Sequence, residues 1–200
     1  MKNNPWKPPV SMETMKRMKI KTCLVGEAAV GKTSLIRRFV HDDFNDKYIQ
    51  TLGTKVSKVD IKVLNPEDGS NIQVDMTIWD IMGQKGFREL LKEAYFYGAK
   101  GVLAVCDSTR RTTLDEIDDW IEGVYGVTGR IPIVLLANKV DLGPKVEVNE
   151  EQLRQVAKAY NSPFYFTSAK TGENVVNAFQ QLANLAVQGR FPAQAVATEA

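Results

Sequence analysis

The sequence predicts an α/β fold: a doubly wound, six-stranded, mostly parallel sheet with helices on both faces and one antiparallel hairpin strand at its edge. Residues 101–106 and 131–137 are short, continuously apolar runs, as strands buried on both faces of a parallel sheet require. Stripes of apolar residues at helical spacing alternate with such runs along the chain. Residues 54–64 and 72–79 carry branched side chains at alternate positions on either side of the turn-forming stretch 65–71, which marks a hairpin.

Residues 1–18, with Pro5, Pro8, Pro9 and interleaved Met and Lys, have no sustained period and are expected to form a mobile basic arm. Residues 20–25 are the first strand. The glycine-rich segment 26–33 follows, and then a helix beginning at Ser34-Leu35-Ile36. The polar stretch 41–53 has no periodicity. Leu114, Ile117, Trp120, Ile121 and Val124 form a helical stripe after a candidate cap at Thr112 or Thr113. Leu153, Val156, Ala157 and Tyr160 form a second stripe; Val175, Val176, Phe179, Leu182 and Leu185 form a third. Between the last two lies the strand 164–167. Residues 189–200 are expected to be a flexible tail.

Two hundred residues suffice for one domain with a full core. The net charge of +2 is unevenly placed. Six basic residues among the first 21, against Glu13 alone, leave the remainder mildly acidic, which argues against nucleic acid as a primary partner. Cys23 and Cys106 fall in apolar runs and read as small buried hydrophobes in a reducing compartment, not as a disulfide. No signal-peptide pattern and no membrane-spanning run is seen, the second residue is Lys, and the last residues hold no cysteine to prenylate. The expectation is a cytoplasmic monomer without an encoded lipid anchor, meeting membranes only through a partner or the basic arm.

The segment Gly26-Glu-Ala-Ala-Val-Gly-Lys-Thr33 carries the chemistry. A GxxxxGKT run between a strand and a helix is a phosphate-binding loop, its backbone N–H groups and the positive end of the helix dipole turned toward an anion. Ala28, Ala29, Val30 and Ser34 complete that cradle, and Gly26 and Gly31 let the backbone turn or approach closely without a Cβ. Lys32 is expected to reach the β- and γ-phosphates and the Thr33 hydroxyl to ligate Mg²⁺. Asp80, after the strand ending at Trp79, is expected to hold Mg²⁺ through water, and the Gly83 amide to sense the γ-phosphate.

Two further segments name the base. Asp141, in Asn138-Lys139-Val140-Asp141, is placed to accept the N1–H and the 2-amino group of guanine. Adenine lacks both donors there, so a buried carboxylate would be left unpaired and adenine disfavoured by several kcal/mol. Asn138 is expected to brace the phosphate loop and the purine N7, and the Lys139 stem to cover the ring. In Ser168-Ala169-Lys170 the Ala169 amide is expected to donate to guanine O6.

With these motifs in order, the chain from about Lys19 to Gln188 resembles a Ras-superfamily small GTPase, nearest in pattern to the Rab branch. The resemblance implies a single phosphate-loop G domain over 19–188, GTP/GDP and Mg²⁺ as ligands, and a switch that hydrolyses GTP slowly without an activating protein. It implies effector, exchange-factor and activating-protein partners, with switch I at about 42–57 and switch II at about 80–98. It also assigns roles: Thr51 closing on Mg²⁺, Phe44 packing against guanine, Tyr48 over the phosphates and Gln84 orienting the attacking water. Trp79 and residues 95–99 resemble the aromatic surface offered to effectors.

The chain departs from the resemblance at Ala28, where Ras proteins proper carry a third glycine and Rab-like members tolerate small side chains, at bulky Ile81-Met82 before the switch II glycine, and at Val56, where Rab proteins usually place a phenylalanine. Ala28 and Met82 motivate an alternative: a guanine-nucleotide-dependent binding module with negligible hydrolysis. An ATP-using phosphotransferase would need an arginine-bearing lid, for which no segment has room.

Overall fold

The computed structural model describes residues 16–45, 47, 50–84 and 92–189. The elements are β1 (Lys16–Val25), α1 (Lys32–His41), β2 (Thr54–Leu64), β3 (Asn71–Ile81), β4 (Gly101–Asp107), α2 (Thr112–Asp115), α3 (Ile117–Thr128), β5 (Ile133–Asn138), α4 (Glu150–Ala159), β6 (Phe164–Thr167) and α5 (Val175–Val187). The strands form one sheet in the order β2-β3-β1-β4-β5-β6. Only β2, paired with β3, is antiparallel to its neighbour.

Period-two alternation divides the interior into two cores, one on each face of the sheet. Ile20, Leu24, Leu103, Val105, Val134 and Leu136 face α1 and α5, meeting Leu35, Phe179 and Leu182. Cys23, Val25, Val102, Ala104, Leu135 and Ala137 face α3 and α4, meeting Ile117, Trp120, Ile121 and Leu153. Phe39 and Phe179 stack at 4.0 Å between centroids and join α1 to α5. Each such fully buried side chain is worth about 1.5–3 kcal/mol, so the cores hold the strand ends in fixed places. Between β1 and β4 the strand order reverses. The crevice beyond their carboxyl ends is where an open α/β sheet binds its ligand.

The structure corrects several sequence boundaries. β1 starts at Lys16, so residues 16–18 of the expected arm are strand. Arg17 forms an ion pair with Asp75 on β3, and Met18 packs on the first core. β3 runs to Ile81, so Asp80 lies in the strand, not after it, because the β2–β3 ladder continues through Thr54 and Ile81. β5 begins at Ile133, not 131: Pro132 has no N–H for the ladder, although its carbonyl accepts from Val102. Neither Thr112 nor Thr113 caps the stripe helix. Thr113 Oγ1 instead accepts from the Asp107 amide, and the helix is interrupted at Glu116. Val176, assigned to the third stripe, is 61% exposed. Both cysteines are buried and unpaired.

Candidate functional site

A cavity of about 320 Å³ opens at the carboxyl ends of the central strands. Ala28, Ala29, Gly31, Lys32, Thr33, Ser34, Phe44, Thr51, Gly83, Gln84, Asn138, Lys139, Asp141, Ala169 and Lys170 line it, with Ile81 and Met82. Gly26, Val30, Asp80 and Ser168 stand behind this wall and hold it. Tyr48 lies outside the described residues, as do residues 85–91 of the expected second switch. The segments thus meet in one place although Ala28 and Lys170 lie 142 positions apart, because each segment adjoins the same edge of the sheet.

At the phosphate end, α1 begins directly after Gly31, and the first-turn residues Lys32, Thr33 and Ser34 open on the cavity. A helix leaves these amides without intrahelical partners, and they favour an anion. Lys32 Nζ donates to the carbonyls of Gly26 (2.6 Å) and Glu27 (2.8 Å). Burial pushes its ammonium down to about 8, with Asp80 and Glu27 acting the other way. The glycines serve protein contacts as well as turning: a Cβ at Gly31 would sit 2.3 Å from Asn138 Nδ2, and one at Gly83 would sit 2.5 Å from the Glu27 carbonyl carbon. Gly83 therefore presses the start of the second switch onto the phosphate loop.

Thr33 Oγ1 donates to Asp80 Oδ2 at 2.5 Å and lies 2.9 Å from Thr51 Oγ1. Asp80 Oδ1 is buried and has no hydrogen-bond partner among the described residues. Burial raises the Asp80 pKa against the lowering effects of Thr33 and Lys32. Converging hydroxyl and carboxylate oxygens with one buried oxygen unsatisfied fit a hard divalent cation. Among the described residues no group of three His, Cys, Asp or Glu forms a cage of its own. That suits Mg²⁺, which is held by few protein oxygens plus phosphate and water. The amide of Met82 donates to the carbonyl of Gly53 at 3.3 Å, tying the two switch segments.

At the base end, Asn138 is buried at the end of β5. Its Nδ2 donates to the Val30 carbonyl (2.9 Å), and its Oδ1 accepts from the Ala169 amide (3.2 Å) and Thr167 Oγ1 (3.3 Å). The brace to the phosphate loop is as expected; the Ala169 amide is taken by Asn138. Asp141 Oδ1 accepts from Ser168 Oγ at 2.6 Å, which fixes the carboxylate at the cavity wall. Lys139 has a left-handed backbone (φ 73°), and its Nζ reaches Asp107 Oδ2 at 2.6 Å. Phe44 is half-buried against the first core and also lines the cavity.

Sequence reasoning missed four supports. Glu27 accepts from Trp120 Nε1 at 3.2 Å. Arg38, on α1, donates to the Ala169 and Lys170 carbonyls at 2.9 and 2.7 Å. Asp107 ends β4 and Arg110 follows it, and the rule that picked out the other loops, that function lies at and after strand ends, would have found them. Of the aromatic run expected to face effectors, Phe96 is 1% exposed and belongs to the second core. Tyr97 is 78% exposed, and Trp79 carries Lys21 Nζ 3.9 Å from its ring centroid.

Comparison with known proteins agrees with this geometry. Ras-related protein Rab-13 of Rattus norvegicus is 36% identical over 165 residues, 82% of this chain and 77% of the relative. Ras-related protein Rab-8A of Bos taurus is 37% identical over 165 residues, 82% of this chain and 76% of the relative. The strand-loop-helix phosphate cradle, the braced base pocket and the two joined switch segments all lie between residues 21 and 188. The family model described as Ras family matches residues 21–188, and the chain belongs to that family, as a Rab-like small GTPase.

Proposed function

We propose that the cavity holds GTP or GDP with Mg²⁺, the phosphates on residues 28–34 and the guanine between Phe44, Asp141 and Ala169. Guanine-nucleotide binding and GTP hydrolysis are the activity of the family to which the chain belongs, and the chain is a GTPase switch. In our reading Lys32 leaves the Gly26 and Glu27 carbonyls for the β- and γ-phosphates. Thr33 and Thr51 supply hydroxyl ligands and Asp80 a water-bridged carboxylate to Mg²⁺. Held there, Mg²⁺ would supply charge neutralisation at the phosphates during transfer of the γ-phosphoryl group. Gln84, at the cavity wall, orients the attacking water, and the Gly83 amide senses the γ-phosphate. Asp141 reads the guanine edge, Asn138 braces the loop, and Lys139 covers the ring. The observation that carries this reading is the buried, unpartnered Asp80 Oδ1 beside the Thr33–Thr51 hydroxyl pair.

Effectors, exchange factors and activating proteins are the partners that membership implies. An activating protein supplying an arginine raises hydrolysis by about three to five decades in such switches, so hydrolysis by the isolated chain is slow. We place the chain in the cytoplasm as a monomer, reaching membranes through a partner or its basic arm. No described helix is long and apolar enough to cross a membrane.

The test is single-turnover GTP hydrolysis by nucleotide-stripped protein with Mg²⁺, beside Gln84→Leu. Slow turnover that the substitution reduces by about tenfold or more supports a glutamine-positioned water. Tight GTP binding without turnover in either protein favours the binding-module alternative, which the bulk of buried Met82 at the cavity wall keeps alive.

A further inference from the structure

Between β4 and α2 a single side chain grips the phosphate loop from outside the cavity. Asp107 is 1% exposed, and four donors converge on its carboxylate. Oδ2 accepts from Lys139 Nζ (2.6 Å) and Arg110 Nε (3.0 Å). Oδ1 accepts from the Thr109 amide (3.0 Å) and Thr109 Oγ1 (2.7 Å). At the other end of the guanidinium, Arg110 Nη2 donates to the Ala28 carbonyl at 2.9 Å. An unbroken chain of hydrogen bonds therefore runs from Lys139, in the base-binding loop, through Asp107 and Arg110 to Ala28, in the phosphate loop.

The loop that carries Arg110 is itself fixed. The Ser108 amide donates to the Asn138 carbonyl (2.8 Å), and the Ser108 carbonyl accepts from the amides of Glu147 (2.8 Å) and Val148 (3.0 Å). Thr113 Oγ1 accepts from the Asp107 amide and donates to the Arg110 carbonyl. The fork of an arginine spans two acceptors at set positions, which a lysine ammonium cannot reproduce.

The peptide plane gives the grip a consequence. The carbonyl of Ala28 and the amide of Ala29 belong to one planar trans unit and point in opposite directions. Holding the carbonyl outward on Arg110 aims the Ala29 N–H the other way, toward the cavity that both residues line. We propose that Arg110 is a positioning residue for nucleotide retention: it locks the Ala28–Ala29 peptide with its N–H presented to phosphate and, through Asp107, couples that lock to Lys139. The inference rests on the guanine-nucleotide reading of the cavity and adds a residue that no motif contains.

The experiment is release of a fluorescent GDP from the full chain, followed by stopped flow after mixing with excess GDP. Wild type is compared with Arg110→Ala, Arg110→Lys, Lys139→Ala and the Arg110→Ala/Lys139→Ala double variant. Loss of one charge-assisted hydrogen bond corresponds to release faster by about tenfold in Arg110→Ala. Arg110→Lys recovers less than half of that effect on a logarithmic scale. In the double variant the two effects multiply to less than their product, because both act through Asp107. Amide hydrogen exchange of the GDP complex reads the geometry without turnover: Ala29 exchanges faster in Arg110→Ala, while amides in β5 do not change. Unchanged release and unchanged Ala29 exchange overturn the proposal, as does full multiplicativity in the double variant. Failure of wild type to bind GDP at all would overturn the nucleotide reading itself, an outcome distinct from wild-type binding that Arg110 does not influence.

Discussion

On the base side of the cavity, Asn138 bonds to the phosphate loop, to Thr167 and to Ala169, while Arg38 holds the next two carbonyls from behind. On the switch side, Thr51 meets Thr33 hydroxyl to hydroxyl, Met82 meets Gly53 by one 3.3 Å bond, and Asp80 Oδ1 has no partner among the described residues. The first half is assembled from protein groups that satisfy one another. The second leaves a buried oxygen to be satisfied by something that arrives. A buried acceptor without a partner costs about 1–3 kcal/mol, so the switch side gains most when ligand binds. The contrast separates recognition, which must be rigid before binding, from signalling, which must change on binding.

Substitutions at the junction and on either side break the comparison to different degrees. The largest effect is expected from Lys32→Ala, where loss of the only buried cationic side chain among the described residues should weaken GDP binding by about a thousandfold. Far-UV circular dichroism should remain that of the folded chain, and retained nanomolar affinity by calorimetry would refute the phosphate-loop role. Next is Asp141→Asn, which should cost guanine about a hundredfold and shift preference toward xanthine. Competition between the two nucleotides checks it, and an unchanged preference removes Asp141 from the base site. Asn138→Ala strips partners from the buried Ala169 amide and the Val30 carbonyl, so nucleotide-stripped protein should lose about 2–4 kcal/mol in urea unfolding. The smallest effect on stability belongs to Thr51→Ala, less than about 0.5 kcal/mol in the same experiment. Its loss should appear instead as a smaller preference for GTP over GDP. A stability cost equal to that of Asn138→Ala would erase the distinction between the two halves.

The sequence made the base side legible because its motifs follow strand ends, and a strand buried on both faces has little freedom in where it ends. It said less about extent and facing. The apolar alternation of β3 ends at Trp79 and leaves Asp80 looking like loop, yet pairing of Asp80 with Lys55 and of Ile81 with Thr54 carries the strand two residues further. In the run 95–97 three consecutive aromatics leave no period to read, and only packing decides that Phe96 turns inward and Tyr97 outward. Val176 fits a helical stripe by spacing but falls just beyond the buried arc of α5. The grip of Arg110 on Ala28 joins residues 82 apart in sequence, and no local pattern encodes it.

The bond between Met82 and Gly53 extends the β2–β3 ladder by one rung, past Thr54 and Ile81. A zip frays from its end, so this rung breaks before any other in the hairpin. Whichever segment pulls away first removes this tie, and the other is then left with its contacts to the phosphate loop alone. A protein that grips the exposed Leu52 edge alone would thereby delay the opposite ribbon as well, lengthening the lifetime of a state it touches on one side only.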